Sequence, residues 1–457
     1  MSDLTSRLRD IIRSAPRPAA RELTYVPEGG YEARSDPDRM CDVLGARALD
    51  TAWGSCLVVD RRYEADRWHG DVRVEACVVA DDERLSVLDG TLGPPAEGAS
   101  PILFVDTETT GLSGGAGTVA FLVGCGWFDL GAFHTRQFLL PGFAAERALL
   151  AAITDAVAPA GLVVTYNGKT FDLPLLETRW LFHRMETPFA DKRHFDMLHP
   201  ARRLWRRRAS TVAQGGSTSV AQGFSPVTPD DGCSLGALER ALLAFERVGD
   251  VPGFEIPSRY FQFVRTADPR PLVDVLEHNR LDLISLAAIV ARAQGLVAGG
   301  ADACRDAHER LALGRVFDRA GRSETAEACF RRASSEGDAS VRAEAFLRLA
   351  WKCRRERRHG DAADACRAIL ELTGSAGSVG IARRYALETL AIHHEHRERD
   401  LEAAREFAIA ALEADERPRW RKDVQYRLAR LERKLAGVHE NGGPAAAPLL
   451  SDKTRGD

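Results

Sequence analysis

Two carboxylates stand two positions apart where an apolar run ends. Asp106 and Glu108 follow the run Ile102-Leu-Phe-Val, which has the composition of a buried strand. Side chains alternate along a strand, so both carboxylates lie on the same side, about 5 to 7 Å apart. Two carboxylates at that distance repel each other unless a cation lies between them. An isolated Asp-x-Glu is ordinarily a helix cap followed by a turn residue, so a chemical role requires partners elsewhere in the chain.

Two further segments supply such partners. Asp172 ends the segment Tyr166-Asn-Gly-Lys-Thr-Phe-Asp, which follows a second apolar strand and leads into a helix, where the residue could equally be the N-cap. His278 and Asp282 lie four residues apart in an apolar helix and therefore share one face. Asp282 falls near the apolar stripe of that helix, where a charge without a partner is costly. A bound metal ion would be a suitable partner.

These residue types suit hydrolysis of a phosphodiester with the help of two metal ions. Mg²⁺ and Mn²⁺ prefer carboxylate oxygens and keep positions open for water and phosphate. One ion would lower the pKa of a water molecule, and the other would stabilise the leaving 3′ oxygen. His278 could accept the proton of that water, because the pKa of an unperturbed histidine is near neutrality.

Three motifs resemble those of the DEDD exonuclease superfamily, whose members have a ribonuclease H-like fold. They are Asp-Thr-Glu-Thr-Thr-Gly-Leu, Tyr-Asn-Gly-Lys-Thr-Phe-Asp and His-Asn-Arg-Leu-Asp. A Gly-rich stretch after the first motif, and the segments that begin at Asp196, Cys233 and Asp250, are similar to the bacterial YprB-type ribonuclease H-like family. The resemblance extends over roughly residues 100 to 295 as a set of motifs. Some members of that family carry tetratricopeptide repeats after the nuclease domain.

The resemblance implies a metal centre and an activity. The metal ligands would be Asp106, Glu108, Asp172 and Asp282, which would bind two Mg²⁺ or Mn²⁺ ions. The activity would be that of a 3′→5′ exonuclease on single-stranded nucleic acid, either RNA or DNA. Members with a histidine usually place it five residues before the last Asp, whereas His278 lies four before, in the position of a tyrosine. His278 is therefore either the general base or a residue that positions the water.

The order of the predicted elements explains how these residues come together. The predicted strands are 102–105, 118–128, 132–140 and 161–166, and the predicted helices are 144–157, 173–184 and 272–293. In chain order, the first six elements run β-β-β-α-β-α. This order predicts an α/β domain over 100–298 with a mixed sheet and flanking helices. Sites in such domains lie at the carboxyl ends of the strands, where Asp106 stands.

The region before this domain is less regular. Residues 1–95 are predicted to be partly β, with strands at 55–60 and 72–79, and have no assigned role. Within the domain, residues 210–231 are rich in Ser, Gly, Thr and Gln and lack an apolar period, which indicates a mobile surface loop.

The region after the domain changes character. Residues 301–437 lose all strand signals and repeat the pattern Ala-x-Ala-Cys, first at Ala326 and again at Ala363. The two copies lie 37 residues apart, and this spacing fits an all-α array of tetratricopeptide-like repeats. Such an array would bind a protein partner or extend the path of the nucleic acid. Ordinary helical hairpins without a binding groove are the alternative. The tail at 440–457 is predicted to be disordered.

A basic cluster around one tryptophan is predicted to contact nucleic acid. Its members are Arg202, Arg203, Trp205, Arg206 and Arg207, and Asn167 is predicted to join them from the second motif. Arginine pairs with phosphate, and tryptophan stacks on bases. A helix whose charged face is merely solvated is the alternative. The chain carries 62 basic and 66 acidic residues, so it cannot bind nucleic acid by bulk charge and any basic surface is local.

Composition limits the remaining possibilities. A length of 457 residues suggests about three structural units. The nine cysteines are odd in number and form no Cys-x-x-Cys pair, which argues against disulfides and predicts reduced thiols in the cytoplasm. We see no apolar segment typical of a secretion signal, and the uninterrupted apolar runs are too short to span a bilayer. Two other functions fit: a nucleic-acid-binding protein without hydrolysis, and an adaptor that binds partners through the helical array.

Overall fold

A computed structural model of the protein describes residues 37–94, 101–111, 117–206, 232–372, 377–414 and 418–441. The predicted loop at 210–231, Arg207 and the tail beyond residue 441 lie outside these ranges.

Most of the strands form one mixed sheet. The described strands are β1 (Arg47–Thr51), β2 (Gly54–Tyr63), β3 (Trp68–His69), β4 (Val72–Arg73), β5 (Ile102–Thr109), β6 (Ala120–Asp129), β7 (Ala132–Leu139), β8 (Leu162–Thr165) and β9 (Arg193–Asp196). Seven of them pair in the order β1-β2-β7-β6-β5-β8-β9, and β3 pairs with β4 as a separate hairpin. β5 is antiparallel to β6 but parallel to β8, which is in turn parallel to β9. The predicted mixed sheet is thereby confirmed.

Residues 47–63, which precede the predicted domain, are part of this sheet. β2 pairs with β7 from Leu57 to Tyr63, and β1 then forms the outer edge. The strand predicted at 72–79 is wrong beyond its first two residues, because a 3-10 helix follows at Val74–Cys77. Val74 and Cys77 are both buried, so the apolar residues that suggested a strand instead point into the core from a short helix.

Helices pack on both faces of the sheet. The helices up to residue 299 are α1 (Pro37–Leu44), α2 (Glu83–Leu88), α3 (Glu146–Val157), α4 (Asp172–Phe182), α5 (Leu198–Trp205), α6 (Leu235–Leu243), α7 (Ile256–Thr266) and α8 (Val273–Gly299). Along β5, Phe104 packs in one apolar core while Leu103 and Val105 pack in another, as the alternation of a strand requires.

α8 is the central helix of the core. It packs against β5, β6 and β7. The segment Arg270–Ala303 that contains it is long and apolar enough to cross a membrane, but 61% of its most apolar stretch is buried inside the protein. The core helix of a globular domain can have the same length and hydropathy, and α8 packs on three strands as such a core helix does.

Gly124 allows α8 to approach the sheet closely. It lies on β6 directly opposite Asp106 of β5. A Cβ atom at this position would lie 2.3 Å from Oδ1 of Asn279 and 2.9 Å from Cδ1 of Leu283, both on α8. The glycine therefore makes room for the buried Asn279 beside Asp106.

Gly124→Ala is expected to lower the free energy of unfolding by about 1 to 3 kcal/mol, because the methyl group must push α8 away from β6. Urea unfolding measures the change. Gly295→Ala on α8 is the matched control, since nothing lies within 4 Å of a Cβ atom added there. That variant should be neutral or up to about 1 kcal/mol more stable, because alanine favours helices. Equal effects of the two substitutions would contradict the packing argument.

The carboxyl-terminal region is all helical within the described residues, as predicted. Its helices are α9 (Ala307–Arg319), α10 (Ser323–Glu336), α11 (Ala339–Arg355), α12 (His359–Leu370), α13 (Gly377–His393), α14 (Leu401–Ala414) and α15 (Pro418–Asn441). Consecutive helices pack against each other, and α11 also packs directly on α13.

A buried carboxylate joins this helical array to the α/β domain. Glu309 of α9 accepts a hydrogen bond from the indole Nε1 of Trp205 at 2.8 Å and pairs with Arg292 of α8 at 3.0 Å. Its side chain is only 6% exposed. Arg305 adds hydrogen bonds to the carbonyl groups of Ala241 and Leu242 at the end of α6. Through Arg305 and Glu309, the start of the array is thus anchored to three helices of the α/β domain.

Candidate metal centre

Four carboxylates from three parts of the chain lie together at one edge of the sheet. Asp106 and Glu108 project from the carboxyl end of β5, where a register shift follows Glu108. Asp172 is the first residue of α4, which follows the neighbouring parallel strand β8. The hydroxyl group of Thr107 donates a hydrogen bond to Asp172 and so ties the two strand ends together. Asp282 comes from α8, which crosses above them.

His278 lies among these carboxylates. Its Nε2 atom is 3.8 Å from Oε1 of Glu108 and 3.6 Å from Oδ2 of Asp282. Donor atoms of these three residues all lie within 4.8 Å of one another, close enough to bind one ion. On the other side of the ring, Nδ1 is 2.7 Å from Oδ1 of Asp250. A neutral ring that donates its Nδ1 hydrogen to Asp250 presents the lone pair of Nε2 to the cluster.

The electrostatics of the cluster favour a cation. Burial, and then the charges of the neighbouring carboxylates, raise the pKa of Asp106 and of Glu108 well above their usual values. Burial also raises the pKa of Asp172 to about 6 and, against the opposing charge of Arg247, that of Asp282. The donor set is therefore rich in oxygen and poor in compensating positive charge. Hard divalent ions such as Mg²⁺ or Mn²⁺ fit such a set.

An arginine and two acidic residues that sequence reasoning did not assign support Asp282. Arg247 lies between α6 and α7 and donates to Asp282, to both carboxylate oxygens of Glu239 at 2.6 and 2.9 Å, and to Asp250 at 3.3 Å. The side chain of Glu239 is 2% exposed and that of Arg247 is 10% exposed. The arginine therefore connects α6, the loop at Asp250 and α8 in one buried network. A lone arginine and glutamate eight residues apart carry no sequence signal for this role.

A buried amide holds Asp106. Asn279 of α8 donates from Nδ2 to Oδ2 of Asp106 at 2.7 Å and is fully buried. Its Oδ1 atom accepts a hydrogen bond from Nε2 of Gln137 at 2.8 Å, which defines the orientation of the amide group. Gln137 also donates to the carbonyl oxygen of Leu276 at 2.8 Å. Sequence reasoning missed Asn279, although a polar residue on a helix face lined by His278 and Asp282 was a signal.

Asp196 and Asn167 contact each other in the turn before Asp172, and contact between Asn167 and nucleic acid stays a prediction. Asp196 is buried at the end of β9, where it accepts hydrogen bonds from the backbone amides of Asn167 at 2.8 Å and Lys169 at 3.0 Å. The side chain of Asn167 accepts a hydrogen bond from Thr170 at 2.8 Å. Asp196 thus shapes the turn that leads to Asp172, and Asn167 stands in that turn with a positive φ of 68°.

The basic cluster around Trp205 lies at the junction with the helical array. The indole nitrogen of Trp205 bonds to Glu309, as described above, and Arg203 donates to the carbonyl oxygen of Leu88 at 2.9 Å. Arg202 is exposed on α5, and Arg206 is exposed directly after it. These contacts give Trp205 and Arg203 a structural role, and contact between the cluster and nucleic acid stays a prediction.

The raised pKa of Asp172 gives a pH dependence of stability without metal. The folded protein favours the neutral acid up to about pH 6, whereas an unfolded aspartate ionises near 3.8. Ionisation therefore opposes folding, and its cost grows as the pH rises between these two values. Asp172→Asn removes that cost. In EDTA, the free energy of unfolding of Asp172→Asn minus that of the wild type should rise by about 1 kcal/mol or more between pH 4 and pH 7. Urea unfolding at several pH values measures this difference, and a difference that is the same at every pH would contradict the prediction.

Comparisons with known proteins agree with this geometry. Residues 103–294 match the RNase_H superfamily. The chain is also 32% identical over 266 residues to the uncharacterized protein YprB of Bacillus subtilis (strain 168). That alignment covers 57% of this chain and 59% of YprB, so the chain spans less than two thirds of that relative. The predicted ribonuclease H-like fold and the resemblance to the YprB-type family are confirmed.

Proposed function

We propose that this chain, in which residues 103–294 form a domain of the RNase H superfamily, is a metal-dependent nuclease that hydrolyses phosphodiester bonds. The observation that carries the proposal is the meeting of Asp106, Glu108, Asp172 and Asp282 at one edge of the sheet, with His278 among them. The family resemblance supports the finer proposal of a 3′→5′ exonuclease on single-stranded nucleic acid.

The four carboxylates would hold two Mg²⁺ or Mn²⁺ ions. When bound, such ions would supply Lewis-acid stabilisation of the negative charge that develops around the scissile phosphate. The chain itself supplies orientation. Asn279 holds Asp106, Thr107 holds Asp172, and Arg247 holds Asp282. Ligands that are fixed before the substrate binds do not have to be reorganised during the reaction.

His278 is suited to accept a proton from the attacking water. Asp250 binds Nδ1, so the ring is oriented and its Nε2 atom faces Glu108 and Asp282. Nδ1 lies 2.7 Å from Oδ1 of Asp250 and 3.4 Å from Nη1 of Arg247, and these contacts fix the position of the ring. His278 stands four residues before Asp282, and this orientation supports its role as general base despite the unusual spacing.

The test uses single-stranded RNA and DNA labelled at the 5′ end, each incubated with the protein in Mg²⁺ or Mn²⁺. Stepwise shortening of the labelled strand would support a 3′→5′ exonuclease and show which polymer it prefers. The double variant Asp106→Ala, Glu108→Ala is the control, and cleavage should vanish in it. Intact strands together with retained binding would overturn the proposal in favour of a nucleic-acid-binding protein without hydrolysis.

A further inference from the structure

Two aromatic and two arginine side chains form a continuous strip on the helical array. Trp351 of α11 and Tyr385 of α13 meet edge to face, with ring centroids 5.9 Å apart. The guanidinium group of Arg348 lies 5.1 Å from the Trp351 ring. That of Arg354 lies 5.8 Å from the Tyr385 ring and donates to its hydroxyl group at 3.1 Å. We call these four residues the arginine–aromatic strip.

The strip is partly exposed and contains two arginines. Trp351 is 39% exposed, whereas Arg348 and Tyr385 are half-buried. The carboxylate of Glu344 pairs with both Arg348 and Arg315 of α9. Arg354 is exposed, and its described contacts are with Tyr385. An exposed indole ring with an arginine beside it has the chemistry that binds bases by stacking and phosphates by charge.

We propose that the arginine–aromatic strip binds single-stranded nucleic acid, with a base stacked on Trp351 and phosphates paired with Arg348 and Arg354. The class of ligand rests on the proposed nuclease function, but binding at the strip requires neither metal nor cleavage. The strip lies on an array whose first helix is anchored to the α/β domain through Glu309 and Arg305. A strand bound there is thereby tethered to the molecule that carries the metal centre, which raises its effective concentration at that centre.

This surface suits the role better than the cluster around Trp205. There the indole nitrogen is already bonded to Glu309, and the ring is half-buried at the junction between domain and array. At the strip, Trp351 is the more exposed of the two tryptophans, and Arg348 lies 5.1 Å from its ring. A base that stacks on the exposed part of the indole would therefore have a guanidinium group beside it.

Binding is measured in EDTA, with the full-length protein and a fluorescent single-stranded oligonucleotide, by anisotropy. Trp351→Ala is expected to weaken binding roughly tenfold, the loss typical of one stacked base. Trp351→Phe should retain most of the affinity, because phenylalanine still stacks. Trp68→Ala is the matched control: Trp68 is 58% exposed and has Arg73 at 5.2 Å from its ring, yet it lies on β3, outside the array. This control should bind as the wild type does.

A second measurement tests the arginines. In a plot of log Kd against log salt concentration, replacement of both Arg348 and Arg354 by glutamine should lower the slope by roughly one to two. Each lost phosphate contact lowers that slope. Thermal melting of every variant shows that the array is still folded. Wild-type affinity in Trp351→Ala, with an unchanged salt slope in the arginine variant, would overturn the proposal and leave the strip to a protein partner.

The two proposals can fail separately. Cleavage by the wild type together with unchanged binding in Trp351→Ala would refute the strip alone. Weaker binding in Trp351→Ala by a protein that cleaves neither RNA nor DNA would support the strip and refute the nuclease.

Discussion

Asp106→Asn is expected to lower the rate of phosphodiester hydrolysis by about a thousandfold or more. Asparagine keeps the size of the side chain and can still accept the hydrogen bond from Asn279, so the change removes mainly the negative charge at the metal centre. Loss of several kcal/mol of transition-state stabilisation by metal corresponds to a factor of this size. The measurement is the initial rate on a labelled oligonucleotide in saturating Mn²⁺.

The same substitution should not destabilise the metal-free protein. Burial and the charges of Asp282 and Glu108 oppose the ionised form of Asp106, so a neutral residue there removes a repulsion. In EDTA, the free energy of unfolding should be equal to that of the wild type or greater. Asp274→Asn, which changes an exposed carboxylate at the start of α8, is the control and should leave the rate unchanged. A rate within tenfold of the wild type for Asp106→Asn would contradict the assignment of Asp106 as a metal ligand.

Arg247→Met is expected to have the opposite effect on stability, with a loss of about 3 to 5 kcal/mol. The side chain of Glu239 is 2% exposed, and Arg247 donates two hydrogen bonds to it. Without Arg247, a buried carboxylate is left without its cation, and Asp282 loses its nearest positive charge. Urea unfolding at neutral pH measures the loss. Activity should fall as well, because Asp282 is no longer held in place.

A second substitution separates charge from packing. The double variant Arg247→Met, Glu239→Gln should recover part of the lost stability, because glutamine removes the unpaired buried charge. Arg240→Met is the control, since Arg240 is exposed on the neighbouring helix α6. A loss for Arg247→Met no larger than that for Arg240→Met would show that the buried network does not stabilise the fold.

The parts of this site that were predicted are those that depend on local patterns. Short apolar runs that end in carboxylates predicted both β5 with Asp106 and the turn before Asp172. The apolar period of α8 predicted a long helix with His278 and Asp282 on one face. Such signals lie within a few residues of one another, so one sequence is enough to detect them.

The parts that were missed depend on contacts between distant residues. Asn279 receives its hydrogen bond from Gln137, 142 positions away, and Trp205 donates to Glu309, 104 positions away. The first of these pairs orients Asn279, which bonds to Asp106. The second places Trp205, which was predicted to stack on bases, at the junction between the α/β domain and the array. No spacing rule connects residues so far apart. The pairing of β2 with β7, which brings an unassigned amino-terminal segment into the sheet, was missed for the same reason.

The measurement that tests the metal centre most directly is a titration of the full-length protein with Mn²⁺, followed by the electron paramagnetic resonance signal of the free ion. We expect two ions bound per chain, and loss of binding in the double variant Asp106→Asn, Glu108→Gln. The Asp274→Asn variant should bind as the wild type does. Failure of the wild type to bind Mn²⁺ at millimolar concentrations, or binding that is unchanged in the double variant, would contradict the assignment of these carboxylates as a metal centre.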